Sequence, residues 1–305
     1  MRPPKTFHQL IAANKRNSWF LIAGMFLLLI ALGVVFGGAY GSWPIGLLIA
    51  LGTACIVFLF SWFAGSGTLL AVSGAHEISK EDDPQLFNVV EEMSIAAGVP
   101  MPRVFVINTK AMNAFATGVD PAHAAVAVTE GLRSRLSRDE LQGVIAHEIG
   151  HIRNFDIRYT MLMAVMAGAI VLLADLFLRS TFFSGGRRRN DRDGGIQAIL
   201  MLVGIVFAIL APIITALIQM AMSRQREYLA DASAVEFTRN PDGLADALAK
   251  LAGDAVPYRT SRSVAPLFIV NPELKLRGGA ESLFATHPPI SERIKRLWAL
   301  SGGER

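Results

Sequence analysis

The sequence is short of charge. Only 18% of its 305 residues are Asp, Glu, Lys or Arg against 52% apolar ones, and the mean hydropathy is +0.41. A soluble domain needs a largely polar surface, so this balance excludes an ordinary soluble protein and predicts membrane spans. Cysteine is nearly absent. Cys55 alone cannot close an internal disulfide, and its place in an apolar run predicts a small buried side chain rather than redox chemistry. A strong excess of one charge is also missing, since 29 basic and 25 acidic residues give a net charge of +4. The basic residues stand largely beside apolar runs, where the partner is anionic lipid and not nucleic acid. No internal repeat is present.

What is there is organised around four apolar runs, Ser18 to Tyr40, Ile45 to Val72, Tyr159 to Leu178 and Ile196 to Met222. Each holds roughly the 20 residues that a helix needs to cross the hydrocarbon core. Lys5, Lys15 and Arg16 precede the first run like the head of a signal peptide, but the run is longer than a cleavable core, which predicts a retained anchor. The link Gly41 to Pro44 carries no charge, so the positive-inside rule puts the N-terminus in the cytoplasm and brings the chain back there after the second run. The third link, Ser184 to Gly195, holds Arg187, Arg188, Arg189 and Arg192 against Asp191 and Asp193, although alternation would export it. Either the first hairpin overrides that bias, or the second hairpin only dips into the bilayer.

Four segments follow: an N-terminal membrane hairpin over 1–73, a first soluble part over 74–158, a second membrane hairpin over 159–222 and a second soluble part over 223–305. In the first soluble part a helix is predicted over Pro84 to Ala97, with short strands at Arg103 to Ile107, Asn113 to Thr117 and Ala124 to Val128. Ser137-Arg-Asp-Glu140 has the capping-box pattern that opens a helix. In the second part, Asn240-Pro241 and Pro289 each open a helix. The expected fold class is α+β, mainly α, with a small sheet and about four membrane helices.

The helix opened by Ser137 carries His147-Glu-Ile-Gly-His151, an H-E-x-x-H pattern. Two histidines one turn apart reach a single ion, and zinc accepts imidazole nitrogen readily while keeping a position for water. Glu148 can then take the water's proton and return it to a departing amine. Chance alone produces such a pattern in roughly one chain in a hundred at ordinary residue frequencies, so the motif needs support. The support is a second acidic pair, Glu227 and Asp231, at helical spacing. Glu227 can supply a third ligand, and Asp231 can hydrogen-bond a ligand histidine and fix its tautomer. Two apolar runs lie between His151 and Glu227, so the chain returns to the side it left and the two halves can meet. The short distances in sequence from His151 to Tyr159 and from Met222 to Glu227 hold the ion roughly 8 to 12 Å from the bilayer if the helices are continuous. Membrane proteins and their juxtamembrane segments are the expected substrates.

At these residues the sequence closely resembles the HtpX family of membrane zinc metalloproteases, relatives of the CAAX prenyl endopeptidases. The likeness runs over nearly the whole chain: the N-terminal hairpin, Asn113-Ala-Phe-Ala-Thr-Gly118, the H-E-x-x-H motif with Asn154 and Asp156, Ser223 to Asp231, and Ala285-Thr-His-Pro-Pro289. It implies a gluzincin-type, zincin-like catalytic domain with one Zn2+ per chain on His147, His151 and Glu227, and Glu148 as base. It also implies quality control of bacterial inner-membrane proteins, with the active site facing the cytoplasm. From the likeness and from physics together, Asn113 to Gly118 is either an edge strand that pairs with substrate backbone through Asn113, Ala114 and Phe115 or an ordinary internal strand. His287 likewise either donates to the oxyanion or covers the metal at rest.

The other histidines, His8, His76 and His123, lack ligand spacing. Asp175 in the third run has Arg179 one turn on, which predicts a snorkelling pair, and Pro212 predicts a kink in the fourth. A membrane scaffold or adaptor with an inactive zinc site is the alternative function. An intramembrane protease is disfavoured because Arg138, Asp139, Glu140, Arg153 and Asp156 make the motif helix polar. Natural substrates and oligomeric state are not legible.

Overall fold

The computed structural model describes residues 7–183, 194–221, 224–254, 256, 265–270 and 288–301. Among them the chain is mainly helical around one four-stranded sheet.

Helices α1 (Phe7–Ala39) and α2 (Trp43–Val72) form the first hairpin. Their backbones nearly touch: a Cβ on Gly46 would lie 2.3 Å from the carbonyl oxygen of Gly33, so a side chain there would force the helices apart. Helices α6 (Asp156–Phe183) and α7 (Gly194–Ala221) form the second, with Pro212 inside α7. Among the described residues three stretches are long and apolar enough to cross a membrane, Trp19–Ala39, Trp43–Val72 and Asp156–Arg179. In α7 the apolar stretch among described side chains is Met201–Thr215. The outer surface of these helices is apolar, with Phe63 82% and Ile56 68% exposed, which suits hydrocarbon and not water. Cys55 corrects one expectation. It is exposed on α2, because a membrane helix turns apolar side chains outward as well as inward. Arg179 Nε donates to Asp175 Oδ2 at 2.7 Å and both side chains are exposed, as expected of a snorkelling pair.

The sheet holds β1 (Ala75–Glu77), β2 (Arg103–Ile107), β3 (Ala114–Gly118) and β4 (Ala124–Thr129) in the order β1-β2-β4-β3. β2 and β4 are parallel, and the other two pairs are antiparallel. Both faces are covered, which explains why β3 and β4 read as continuous apolar runs rather than alternating ones. On one face Phe105, Phe115 and Ala127 pack against Leu69, Leu70, Met161 and Ala164, so the sheet rests on the ends of α2 and α6. On the other face Ala114, Ala116, Val126 and Val128 meet the helix that bears the H-E-x-x-H motif. Strand β1 has no counterpart among the expected strands, being three mostly exposed residues without a pattern.

Helix α3 (Pro84–Ala97) is capped by Asp83, and α4 (Glu130–Arg135) by Thr129. Helix α5 (Arg138–Arg153) begins with the expected capping box, Ser137 and Glu140 each accepting from the other's backbone N–H. Helices α8 (Arg224–Thr238), α9 (Pro241–Gly253) and α10 (Ile290–Leu300) complete the assembly around α5. α9 lies close against α5, since a Cβ on Gly143 would stand 2.6 Å from the backbone nitrogen of Leu244. α8 meets α5 at Gly150, where a Cβ would fall 3.0 Å from Ser233 Cβ.

Candidate metal centre

Helix α5 presents buried His147 and Glu148 and half-buried His151 in its C-terminal half, and α8, reached only after the α6–α7 hairpin, presents Glu227. One ligand atom from each of His147, His151 and Glu227 lies within 4.8 Å of the others. His147 Nε2 is 3.6 Å from Glu227 Oε2, and His151 Nε2 is 3.5 Å from Glu227 Oε1, so the carboxylate faces both rings. The two imidazoles stand nearly perpendicular, with centroids 4.8 Å apart.

The far side of each ring is held by an acid. Asp231, one turn beyond Glu227, has Oδ1 2.9 Å from His147 Nδ1. Asp156, the first residue of α6, has Oδ2 3.2 Å from His151 Nδ1. A carboxylate that keeps a proton at each Nδ1 would leave Nε2, the nitrogen facing Glu227, as the one to bind a metal. Asp156 reaches back because Phe155 adopts a left-handed conformation, φ 61°, that folds α6 sharply off the end of α5.

Two arginines complete the site, and sequence reasoning assigned a role to neither. Arg293 on α10 is fully buried, and its Nε and Nη2 donate to Asp231 Oδ2 and Oδ1 at 2.9 and 2.6 Å. Its Nη1 lies 3.2 Å from Glu227 Oε2. Arg226 is buried beside Asp156, with Nη1 3.9 Å from Oδ1. A sequence signal for Arg293 existed, because it interrupts the apolar stripe Ile290, Ile294, Leu297 of its helix.

Charge tests whether a metal fits. Four buried carboxylates, Glu148, Asp156, Glu227 and Asp231, face two buried guanidiniums, Arg226 and Arg293. The difference is two negative charges, which one divalent cation between neutral imidazoles would balance. The deficit is visible in His151: burial by itself lowers its pKa, yet Asp156, Glu227 and Glu148 override this and push it up to about 9. His147 is lowered, by burial first and by Arg293, against the pull of Asp231. Asp231 is lowered although burial opposes it, because Arg293 and His147 stabilise its charge. Two nitrogens and a carboxylate oxygen are a donor set that zinc accepts.

Of the remaining expected residues, Asn113, Ala114 and Phe115 lie at the start of β3, the strand at the end of the sheet beyond β4. Asn113 Nδ2 donates to the Val270 carbonyl at 2.7 Å, and the Ala114 carbonyl accepts from Ile269 N–H at 3.1 Å. Phe115 is buried edge-on against Phe268, centroids 5.1 Å apart. His287 and most of the basic segment from Ser184 lie outside the described residues.

A buried His/His/Glu cluster balanced for a divalent ion, set beside membrane-length helices, defines a membrane metalloprotease. The chain belongs to peptidase family M48, whose description matches residues 80–301. It is 45% identical over 303 residues to a protease HtpX homolog of Dictyoglomus thermophilum, covering 99% of this chain and 97% of that one. With the protease HtpX homolog of Caldanaerobacter subterraneus it shares 46% over 302 residues, covering 97% and 99%. Among solved structures, that of S. mikatae Ste24p is 18% identical at a TM-score of 0.49, covering 94% of this chain and 66% of that one.

Proposed function

We propose that this chain is a zinc-dependent endopeptidase of the bacterial inner membrane that cleaves misfolded or damaged membrane proteins at the cytoplasmic face. The observation that carries the reading is the convergence of His147, His151 and Glu227 from two segments that a membrane hairpin separates. These three residues hold the zinc, one per chain. When bound, zinc supplies Lewis acidity, which acidifies water and polarises a carbonyl.

The chain's own residues do the rest. Glu148 takes the proton of the attacking water and delivers it to the departing amine nitrogen. Asp231 and Asp156 orient the rings of His147 and His151. Substrate backbone adds to β3 at Asn113, Ala114 and Phe115. The resemblance gives His287, which lies outside the described residues, the role of donating to the oxyanion or covering the metal at rest.

Substrate class and orientation rest on the border between site and membrane. Asp156 both holds His151 and opens the spanning stretch of α6. Within that first turn Tyr159 meets Trp19 edge-on at 5.8 Å, and the Arg158 guanidinium lies 5.2 Å over the Trp62 ring. Amphipathic aromatics with a cation are the residues of a membrane–water interface. Peptide bonds just outside the bilayer are therefore within reach, and the basic residues Lys5, Lys15 and Arg16 put that side in the cytoplasm.

The test is metal content and proteolysis of the purified protein. Wild type should hold one zinc and cleave an unfolded membrane protein, Glu148→Gln should hold zinc without cleaving, and Glu227→Ala should lose zinc. Cleavage retained by Glu148→Gln would remove Glu148 from the mechanism. Bound zinc with no cleavage of any substrate would favour an adaptor role.

A further inference from the structure

The free edge of β3 is already taken by this chain itself. From a 3-10 turn at Ala265–Leu267 the backbone passes along the strand as Phe268, Ile269 and Val270. The Ile269 N–H donates to the Ala114 carbonyl at 3.1 Å. The Asn113 carboxamide grips both main-chain groups of Val270, its Nδ2 donating to the carbonyl at 2.7 Å and its Oδ1 accepting from the N–H at 3.3 Å. Ile269 opposes Ala114 and Val270 opposes Asn113, so the segment descends as β3 ascends: an antiparallel addition. All three bonds are made to main-chain groups of the segment, one by the Ala114 carbonyl and two by the Asn113 side chain, so they do not depend on the side chains the segment carries.

The side chains fix it in place. Phe268 is buried against Phe115 and joins the cluster at the ends of α2 and α6. Ile269 and Val270 are buried on the opposite face, in the same cluster as Ile145 and Ile149 of the motif helix. The segment thus crosses the end of the strand with Phe268 turned to one face of the sheet and Ile269 and Val270 to the other.

We infer that residues 268–270 are an autoinhibitory segment, which an extended apolar segment of a substrate must displace from Asn113 and Ala114 before it can be cut. The inference rests on the proposed reading of β3 as the strand that receives substrate. Burial of three apolar side chains favours the closed state, and the entropy of an ordered backbone opposes it. Only the fraction of molecules with residues 268–270 displaced binds substrate, so the apparent affinity is reduced by that fraction. A substrate offering several apolar residues in extended form competes on equal terms, whereas a folded helix or a polar loop does not.

The experiment uses the full-length zinc-loaded protein in detergent and a fluorogenic peptide of extended apolar sequence. Phe268→Ala with Ile269→Ala weakens the segment's anchors without altering Asn113 or Ala114. It should lower KM about 10-fold while kcat stays within a factor of about two, because the competent fraction changes and the chemistry does not. Equal KM in variant and wild type, with zinc content unchanged, overturns the inference and leaves the protease reading standing. Absence of cleavage by both proteins overturns the two together.

A second measurement needs no folded variant of the segment. Hydrogen exchange of Glu148→Gln protein saturated with the same peptide should show the Ile269 and Val270 amides losing protection. Retained protection at saturation overturns the inference.

Discussion

Arg293 grips Asp231 through two hydrogen bonds, at 2.6 and 2.9 Å, and Asp231 in turn faces His147 Nδ1 at 2.9 Å, so a residue of α10 holds a candidate metal ligand of α5 through an acid of α8. Three segments distant in sequence are joined by one chain of charge-assisted contacts.

Because Arg293 is fully buried, its removal should be costly. Arg293→Met leaves Asp231 a buried charge without its guanidinium and should destabilise the protein by about 3–5 kcal/mol, the usual cost of breaking one side of a buried ion pair. Arg293→Lys restores the charge but not the two-pronged geometry, and should recover part of the loss. Thermal unfolding of the detergent-solubilised protein measures both, and equal melting of Met variant and wild type would contradict the assignment.

The contact between α5 and α9 gives a steric prediction. In Gly143→Ala the new methyl meets the Leu244 backbone, and Gly143→Val adds two more carbons that cannot be absorbed by a flexible side chain. The valine variant should lose about 1–3 kcal/mol or more, the range for overpacking. Gly52 on the exposed side of α2 has no atom within 4 Å of such a methyl, and Gly52→Ala should be neutral or stabilising. Similar losses at both positions would refute the packing argument.

Phe155 tests the turn between α5 and α6. Its φ of 61° is a left-handed backbone that a β-branched residue adopts poorly and asparagine adopts readily. Phe155→Val should therefore weaken zinc binding more than Phe155→Asn, since Asp156 would be drawn away from His151. Both substitutions give up the ring beneath Arg158, so the difference between them isolates the backbone. Isothermal competition with a chelator reads the two affinities, and a reversed order would sink the account.

Glu140 makes a pH prediction. Burial raises its pKa, but Lys250 Nζ at 2.7 Å and the Ser137 N–H at 2.7 Å outweigh this and leave it lowered. A carboxylate whose folded pKa lies below its unfolded value stabilises the protein fully above the unfolded pKa, and that contribution disappears as pH falls through the folded one. Glu140→Gln should therefore melt below wild type at pH 7, and the two should converge in acid. Parallel melting curves from pH 7 to pH 3 would show that Glu140 contributes no linkage.

What the sequence by itself determined is what repeats within a few residues. The turn-by-turn spacing of His147 and His151, the Ser137–Glu140 capping box and the four apolar runs each express a local helical or hydrocarbon requirement. The start of α9 after Asn240 and the strands at 103–107 and 124–129 were legible for the same reason. The nearness of Glu227 to the two histidines could also be read, because it shares a helical turn with Asp231 and follows two apolar runs that return the chain to the side it left.

Only the tertiary structure decided the partners. Arg293 falls on the apolar stripe of its helix, which marks it as facing inward, but the two acids it meets were decided only when α8 was brought beside it. Asp156 became the partner of His151 because one left-handed residue turned α6 back on α5. Strand β3 looked like an open edge until Ile269 and Val270 were laid along it. The pairings of Arg293 and of β3 join residues tens to more than a hundred positions apart and leave no period in the sequence from which to read them, while that of Asp156 with His151 turns on the backbone conformation of one residue.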